Sequence, residues 1–410
     1  MTRRIAIIGA GPAGLIAAER LAGAGFAVNV YERMPSVARK FLMAGRGGLN
    51  LTHSEPLDAF LDRYGAARDW LEPALRAFPP SDLIAWCEGL GQGVFTGSSG
   101  RVFPSAMKAS PLLRAWLARL DGLAVALHVR HTWQGFDDAG RVLIAGPDGL
   151  ERPVEADAVI LALGGASWPR LGSRGEWTGW LAARGVAITP FTPANAGFNV
   201  GWSALFTERF AGTPLKAASF SHGGRTVRGE AMITAYGVEG GAIYALGAGL
   251  RTAIARDGQA VLTLDLAPDI AADVLAKRLA AAKPGQSLSN TLRKQARLSP
   301  LPAALLREAG EPPREPQHLA GRIKALPVTL TGMQGLDRAI SSAGGIARAS
   351  VDARFMLTAL PGAFVAGEML DWEAPTGGYL LQASFSSGAA AAKGVADWLN
   401  GGDALNTGSK

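Results

Sequence analysis

Residues 4–33 read RIAIIGAGPAGLIAAERLAGAGFAVNVYER. Ile5 to Ile8 is a short apolar run, suited to a strand buried on both faces. It ends in Gly9-Ala10-Gly11-Pro12-Ala13-Gly14, a complete G-x-G-x-x-G, which opens an alanine- and leucine-rich helical stretch. A second β-rich run, Phe26 to Tyr31, delivers Glu32, eighteen residues beyond Gly14. Gly9 permits the tight turn, Gly11 the approach of a pyrophosphate, and Gly14 close packing of helix on strand. The phosphates then meet free N–H groups at the positive end of a helix dipole. A carboxylate at Glu32 is placed to accept hydrogen bonds from the ribose hydroxyls and would repel a 2′-phosphate. Strand, helix, second strand and acid occur together, so the stretch is read as a dinucleotide site. Proline at the fourth fingerprint position, the form typical of flavoproteins, favours FAD over NAD.

At 410 residues the chain can build two or three cored domains. With 48% hydrophobic and 18% charged residues, most of it is expected to fold. No apolar run reaches the ~18 residues of a membrane helix. The apolar start belongs to the fingerprint and does not read as a signal peptide. The single cysteine, Cys87, excludes an internal disulfide and a cysteine-rich metal site, and is expected to be buried. The expectation is a cytoplasmic enzyme with no metal and no membrane partner. The net charge of +7 is dispersed, without a run of five like charges, so anionic cofactors or substrates are favoured over nucleic acid.

Beyond Glu32 and Arg33, the stretch RKFLMAGRGGLNLTH (39–53) supplies a glycine-rich cationic loop. Lys40, Gly45, Arg46, Asn50 and Thr52 are its candidate cofactor contacts. Asp58 to Leu90 reads as amphipathic helix, and a further helix starts at Ser110-Pro111 and runs to Leu120. Val125 to Phe136, which carries candidate contact Trp133, is expected to form a hairpin with Arg141 to Ile144. Val154 to Leu163 reads as a buried strand returning the chain to the cofactor at Leu163-Gly164-Gly165. After Pro190 and Pro193 the chain breaks into short alternating runs, an antiparallel β insert of barrel type, and Pro268 to Ala320 is helical. Near the C-terminus, Gly367-Glu368 can offer a carboxylate to the ribitol. Gly377-Gly378-Tyr379-Leu380 precedes a small-residue helix, Ser384 to Leu399, whose N-terminus can stabilise negative charge on the reduced flavin.

These separated motifs carry a resemblance. GAGPAGL from Gly9, RKFLMAGRGGLNLT from Arg39, LALGGASWPRLGSRG from Leu161, and AGGI with VAGEMLDWEAPTGGYLLQASFSSG between Ala343 and Gly388 resemble the BaiN-like family of bacterial FAD-dependent oxidoreductases over nearly the full length. The resemblance implies an α/β fold, with a two-dinucleotide-type Rossmann FAD-binding domain interrupted by an antiparallel β-barrel and a helical subdomain. The expected boundaries are 1–190 and 326–400 for the FAD domain, 191–266 for the barrel, 267–325 for the helical subdomain and 401–410 for a flexible tail. It also implies reducers of unsaturated oxo-steroids and an amine oxidase among relatives. Relatives usually read SGGGRCNLTN where this chain has AGRGGLNLTH, so their Arg-Cys pair becomes Gly48-Leu49. Their F-T-H-x-G-x-S-G-P segment is matched by Ile233 to Gly241, which has no histidine, so Tyr236 or Glu239 can take its place.

There is no second G-x-G-x-x-G, hence no separate NAD(P)H domain, and no Ser-His-Asp arrangement. The expectation is noncovalent FAD, NAD(P)H as a transient reductant, and a small organic substrate with an activated C=C bond, an enone. Tyr236 and Tyr379 are the candidate proton donors. The alternatives are an oxygen-dependent small-amine oxidase and an RNA-linked or sensory flavoprotein.

Overall fold

A computed structural model describes residues 2–45 and 47–406, with side chains to Gly401. The chain divides into two units, residues 1–192 with 341–410, and residues 193–340.

The first unit is built on a five-stranded parallel sheet, Arg4–Ile8, Ala27–Glu32, Ala126–Val129, Ala158–Leu161 and Ala363–Val365. Arg4–Ile8 lies at its centre, pairing Ile5 with Val28 on one side and with Ala158 on the other. Ile5, Ile7, Ile8, Ile160 and Leu161 are almost fully buried, as expected of strands covered on both faces. Helix Pro12–Gly23 leaves the central strand, and the last helix, Tyr379–Asn406, crosses it. The crossing depends on small residues. A Cβ on Gly388 would lie 2.3 Å from the Ala13 carbonyl oxygen.

Local chemistry breaks several elements expected to be continuous. Asp58 to Leu90 is not one helix: Leu57–Leu61, a 3₁₀ turn over Asp62–Ala67, Arg68–Ala77 and Pro80–Glu88 follow one another. Gly65 takes φ +52°, and the Pro79-Pro80 pair ends one helix and starts the next. Val125 to Phe136 splits at Arg130, in the left-handed region with φ +59°. Ala126–Val129 joins the parallel sheet, and Thr132–Phe136 pairs with Val142–Ala145 in a separate meander. That meander also takes Glu151–Val154, so the buried return strand is only Ala158–Leu161. The last helix begins at Tyr379, five residues earlier than the expected Ser384, and its backbone continues through the expected 401–410 tail to Asn406.

The second unit carries a seven-stranded antiparallel sheet in the order Leu326–Leu330, Ala260–Asp265, Pro214–His222, Arg225–Ile233, Gly237–Glu239, Phe198–Asn199, Gly332–Met333. Its two edge strands are separated in sequence by Thr331 alone, so the sheet is nearly closed and barrel-like. The helices of 272–324 are not a separate subdomain, because Leu275, Leu279, Leu292, Leu305 and Ile323 share one core with Phe220, Leu262, Leu264 and Leu326. The return to the first unit falls at residue 341 rather than 326, since Leu326–Leu330 completes the insert's own sheet beside Ala260–Asp265.

Candidate functional site

The carboxyl ends of the parallel strands meet in a cleft wholly within the first unit. It encloses about 1060 Å³ of empty space, solvent at its mouth included. Ligands of open α/β sheets bind outside these strand ends. Of the residues expected from sequence, Gly9, Ala10, Gly11, Pro12, Ala13, Glu32, Arg33, Lys40, Trp133, Leu163, Gly164, Gly367 and Glu368 line it.

The fingerprint glycines act in different ways. A Cβ on Gly9 would lie 2.3 Å from the Ala162 carbonyl oxygen, and one on Gly14 would lie 2.0 Å from that of Gly9. These two glycines are required by the fold. Gly11 has no neighbour within 4 Å of its Cβ position, so a side chain there would project into the cleft. Gly11 caps helix Pro12–Gly23 with no side chain accepting from its first turn, which leaves those N–H groups available to an anion.

Glu32 is held by two backbone donors: Ala10 N–H to Oε2 at 3.1 Å and Met34 N–H to Oε1 at 2.8 Å. Burial still pushes its pKa above the ordinary glutamate value, outweighing these bonds and the nearby Arg33 and Arg39. Lys40 donates to Glu368 Oε2 at 2.7 Å and reaches Ser167 Oγ at 3.4 Å. Arg33 pairs with Glu176 at 2.9 Å. The turn Leu163-Gly164-Gly165 is pinned by Ser173 Oγ, which donates to the carbonyls of Leu163 and Gly165. Trp177 Nε1 donates to that of Gly164 at 2.9 Å.

Several cleft residues carried no fingerprint: Tyr31, Arg39, His131, Ser173, Arg174, Trp177 and Trp180. Tyr31, Arg39, Ser173 and Arg174 stood inside quoted stretches. The aromatic wall had no signal, because Trp180 is brought against Trp133 only by the meander.

The remaining expected residues sit outside the cleft lining. Gly45 packs against Ala109, which a Cβ would approach to 2.7 Å, and Gly165 packs against Ser342. Asn50 is half-buried, with an Oδ1 shielded from solvent and no partner for it among the described residues. Thr52 donates to Gln382 Oε1 at 2.8 Å, and its backbone lies against Gly378. Gly377, Gly378 and Leu380 flank the start of the last helix. Arg46 lies outside the described residues.

The two tyrosines have contrasting surroundings. Tyr379 is buried, stacks on His53, and donates to Glu55 Oε1 at 2.6 Å, while Arg63 clamps the same carboxylate. Its hydroxyl is engaged by Glu55, and Tyr379 lies outside the cleft lining. Tyr236, in the second unit, is half-buried and donates to Glu239 Oε2. Burial first, and Glu239 second, push its pKa above the usual tyrosine value. A Cβ on Gly197 would meet this ring at 2.5–3.0 Å, so the glycine makes room for it. His128 hydrogen-bonds Asn29 and stacks on Tyr31, a packing role. Among the described residues no cluster of metal-ligating side chains occurs.

The cleft fits FAD on its own chemistry. Three buried side-chain polar atoms lack a partner among the described residues: Arg39 Nε, Trp133 Nε1 and Asn50 Oδ1. The two donors among them both belong to cleft residues. Buried polar atoms are rarely left unsatisfied, so unpartnered N–H groups at a cleft mark a ligand's acceptors.

Comparison with known proteins agrees. The HI0933-like protein Rossmann domain family matches residues 3–394. The chain is 25% identical to a 3-dehydro-bile acid delta(4,6)-reductase of Clostridium scindens, over 96% of this chain and 99% of that one. It is also 25% identical to a ribosomal RNA dihydrouridine synthase of Escherichia coli, over 94% and 96% respectively. A solved 3-ketosteroid delta1-dehydrogenase of Sterolibacterium denitrificans shares the fold, with a TM-score of 0.52 and 12% identity over 96% of this chain and all of that one. No helix among the described residues is long and apolar enough to cross a membrane. Fingerprint, cleft and full-length match together place the chain in the HI0933-like Rossmann-domain family, as an FAD-dependent oxidoreductase.

Proposed function

We propose that this oxidoreductase uses NAD(P)H to reduce a carbon–carbon double bond conjugated to a carbonyl. The observation that carries the reading is chemical. Two curated relatives, each 25% identical along nearly the whole chain, are named for a delta(4,6)-reductase of a 3-oxo steroid and for the synthesis of dihydrouridine. A Δ4 bond beside a 3-oxo group and the C5=C6 bond of uracil beside C4=O are the same functional group.

Noncovalent FAD, when bound, supplies the hydride chemistry. Ala10 to Ala13 and the uncapped helix start hold its pyrophosphate, Glu32 its adenosine ribose, and Glu368, oriented by Lys40, its ribitol. Unpartnered donors at Arg39 and Trp133 supply the remaining polar contacts. Tyr236 is the proton donor. Its phenol, like an ordinary tyrosine, is protonated near neutral pH, and burial raises its pKa further; to protonate substrate its O–H must turn away from Glu239 Oε2.

The test uses anaerobic titration with NADH and NADPH, followed by reoxidation with a 4-en-3-one steroid or with uridine-containing RNA. Wild-type protein is expected to be reduced by a nicotinamide and reoxidised by an enone. Tyr236→Phe is expected to keep the first half-reaction and slow the second by about 10²- to 10⁴-fold. Peroxide release from an amine panel, with no reoxidation by any enone, would overturn the reading.

A further inference from the structure

The positive charge of this chain is unevenly placed. Residues 193–340 hold 17 lysines and arginines against 11 aspartates and glutamates, and so carry most of the net +7. Between Val274 and Arg307 there are seven cations, Lys277, Arg278, Lys283, Arg293, Lys294, Arg297 and Arg307, and no acidic residue. The stretch spans helices Ala272–Ala280, Leu288–Lys294 and Pro300–Glu308, whose leucines point into the unit's core. All seven cations are exposed.

Few of them meet a carboxylate. In the first unit, surface arginines such as Arg68, Arg76, Arg141 and Arg152 each meet a carboxylate. In this stretch only Lys277 approaches one, Asp273, at 4.0 Å. Arg293 and Arg307 donate to the neutral side chains of Asn290 and Ser289. The side chains of Arg278, Lys283, Lys294 and Arg297 have no hydrogen-bond or ion-pair partner among the described residues. Like charges gathered without counter-charges raise the local potential and favour a polyanion.

We propose that this cationic helical face docks structured RNA through its phosphates. Charge complementarity selects a polyanion, and the side chains select its kind. The stretch has no aromatic residue on which unstacked bases could lie, which argues against single strands. Its only large apolar side chain that is markedly exposed is Val274, at its edge, so it lacks the apolar face of a membrane-surface helix. Ser289 and Asn290 stand exposed among the cations and can bond phosphate or 2′-hydroxyl oxygens. Choosing RNA rests on the reaction proposed above, since uracil, the base that carries the conjugated double bond, belongs to RNA. Such contacts fix position without reading sequence. The cations are spaced along 34 residues, so a scan for runs of five like charges overlooks them.

The experiment is gel retardation of a uridine-bearing stem–loop RNA by the FAD-loaded full chain, across a salt series, with poly(U) and phosphatidylglycerol vesicles as comparison probes. Wild type is expected to bind the stem–loop more tightly than poly(U), and to weaken steeply as salt rises. The quadruple variant Arg278→Gln, Lys283→Gln, Lys294→Gln, Arg297→Gln is expected to bind at least about tenfold more weakly, with a salt slope shallower by about 3. Its FAD content and steroid-enone turnover should be unchanged, which separates failure of docking from failure of the proposed reaction. The single variant Lys294→Glu, expected to weaken binding several-fold, carries the test if the quadruple variant does not fold. Absence of stem–loop binding at about 50 mM salt, undiminished binding by the variants, or binding to vesicles alone would overturn the proposal.

Discussion

Replacing Gly11 by valine separates cofactor binding from folding. Gly11 has φ −84° and ψ −178°, extended values that valine adopts readily, and no protein atom within 4 Å of its Cβ position. The apoprotein should therefore fold, with a Tm shifted by no more than the ~1 kcal/mol that a poorer N-cap residue costs. The valine methyl groups instead occupy the approach of the pyrophosphate to the first-turn N–H groups. Losing two charge-assisted hydrogen bonds at about 1.5–3 kcal/mol each removes about 3–6 kcal/mol. That raises the Kd for FAD by about 10²- to 10⁴-fold. Gly14→Ala reverses the pattern. Its Cβ would lie 2.0 Å from the Gly9 carbonyl oxygen, so backbone must shift, at a cost of about 1–3 kcal/mol or more. The assay is FAD stoichiometry from absorbance after desalting, with Tm measured on both apoproteins so that cofactor linkage does not enter. A Gly11→Val protein that stays fully loaded with wild-type affinity would refute this placement of the pyrophosphate.

Two other perturbations bear on the same unit. Burial raises the Glu32 pKa, so in the apoprotein this group favours the folded state below the ordinary glutamate range, and that contribution is lost as pH rises through the raised value. Bound ribose needs the ionised form, so FAD retention should fall as pH drops through that same raised value, above pH 4.5; Glu32→Gln should bind FAD about tenfold more weakly and without this acid step, and an identical pH profile in the variant would contradict the assignment. Glu19 accepts from the indoles of Trp86 and Trp116 at 3.0 and 2.7 Å and from Arg119 at 3.0 Å. Glu19→Ala strands two largely buried indole donors and should cost about 2–5 kcal/mol by chemical denaturation without changing FAD stoichiometry, whereas an unchanged midpoint would show those donors find water.

Much of the first unit was legible because its signals are local. The run Ile5–Ile8, the glycines of the fingerprint and the acid at Glu32 each impose a conformation on their immediate neighbours. The order strand, turn, helix, strand then leaves a parallel sheet as the outcome. Glu368 and Leu163-Gly164 were legible for the same reason, each ending an apolar strand. Where a single residue overrides a longer pattern, the sequence misled. Arg130 in a left-handed conformation turns one expected strand into two, and the Pro79-Pro80 pair and Gly65 break a stretch that is apolar at helical spacing throughout.

Tertiary structure alone decided the rest, because the deciding contacts join residues far apart in the chain. Tyr379 reads as a reactive phenol beside a glycine pair. Glu55 and Arg63, more than 300 residues earlier, make it part of the core. Lys40 is held by Glu368, 328 residues away, and the partnerless donors of Arg39 and Trp133 can be recognised only once the fold shows which buried polar atoms have partners. Seven cations spread over 34 residues make no run of like charge, and three helices that bury their leucines inward leave all seven exposed.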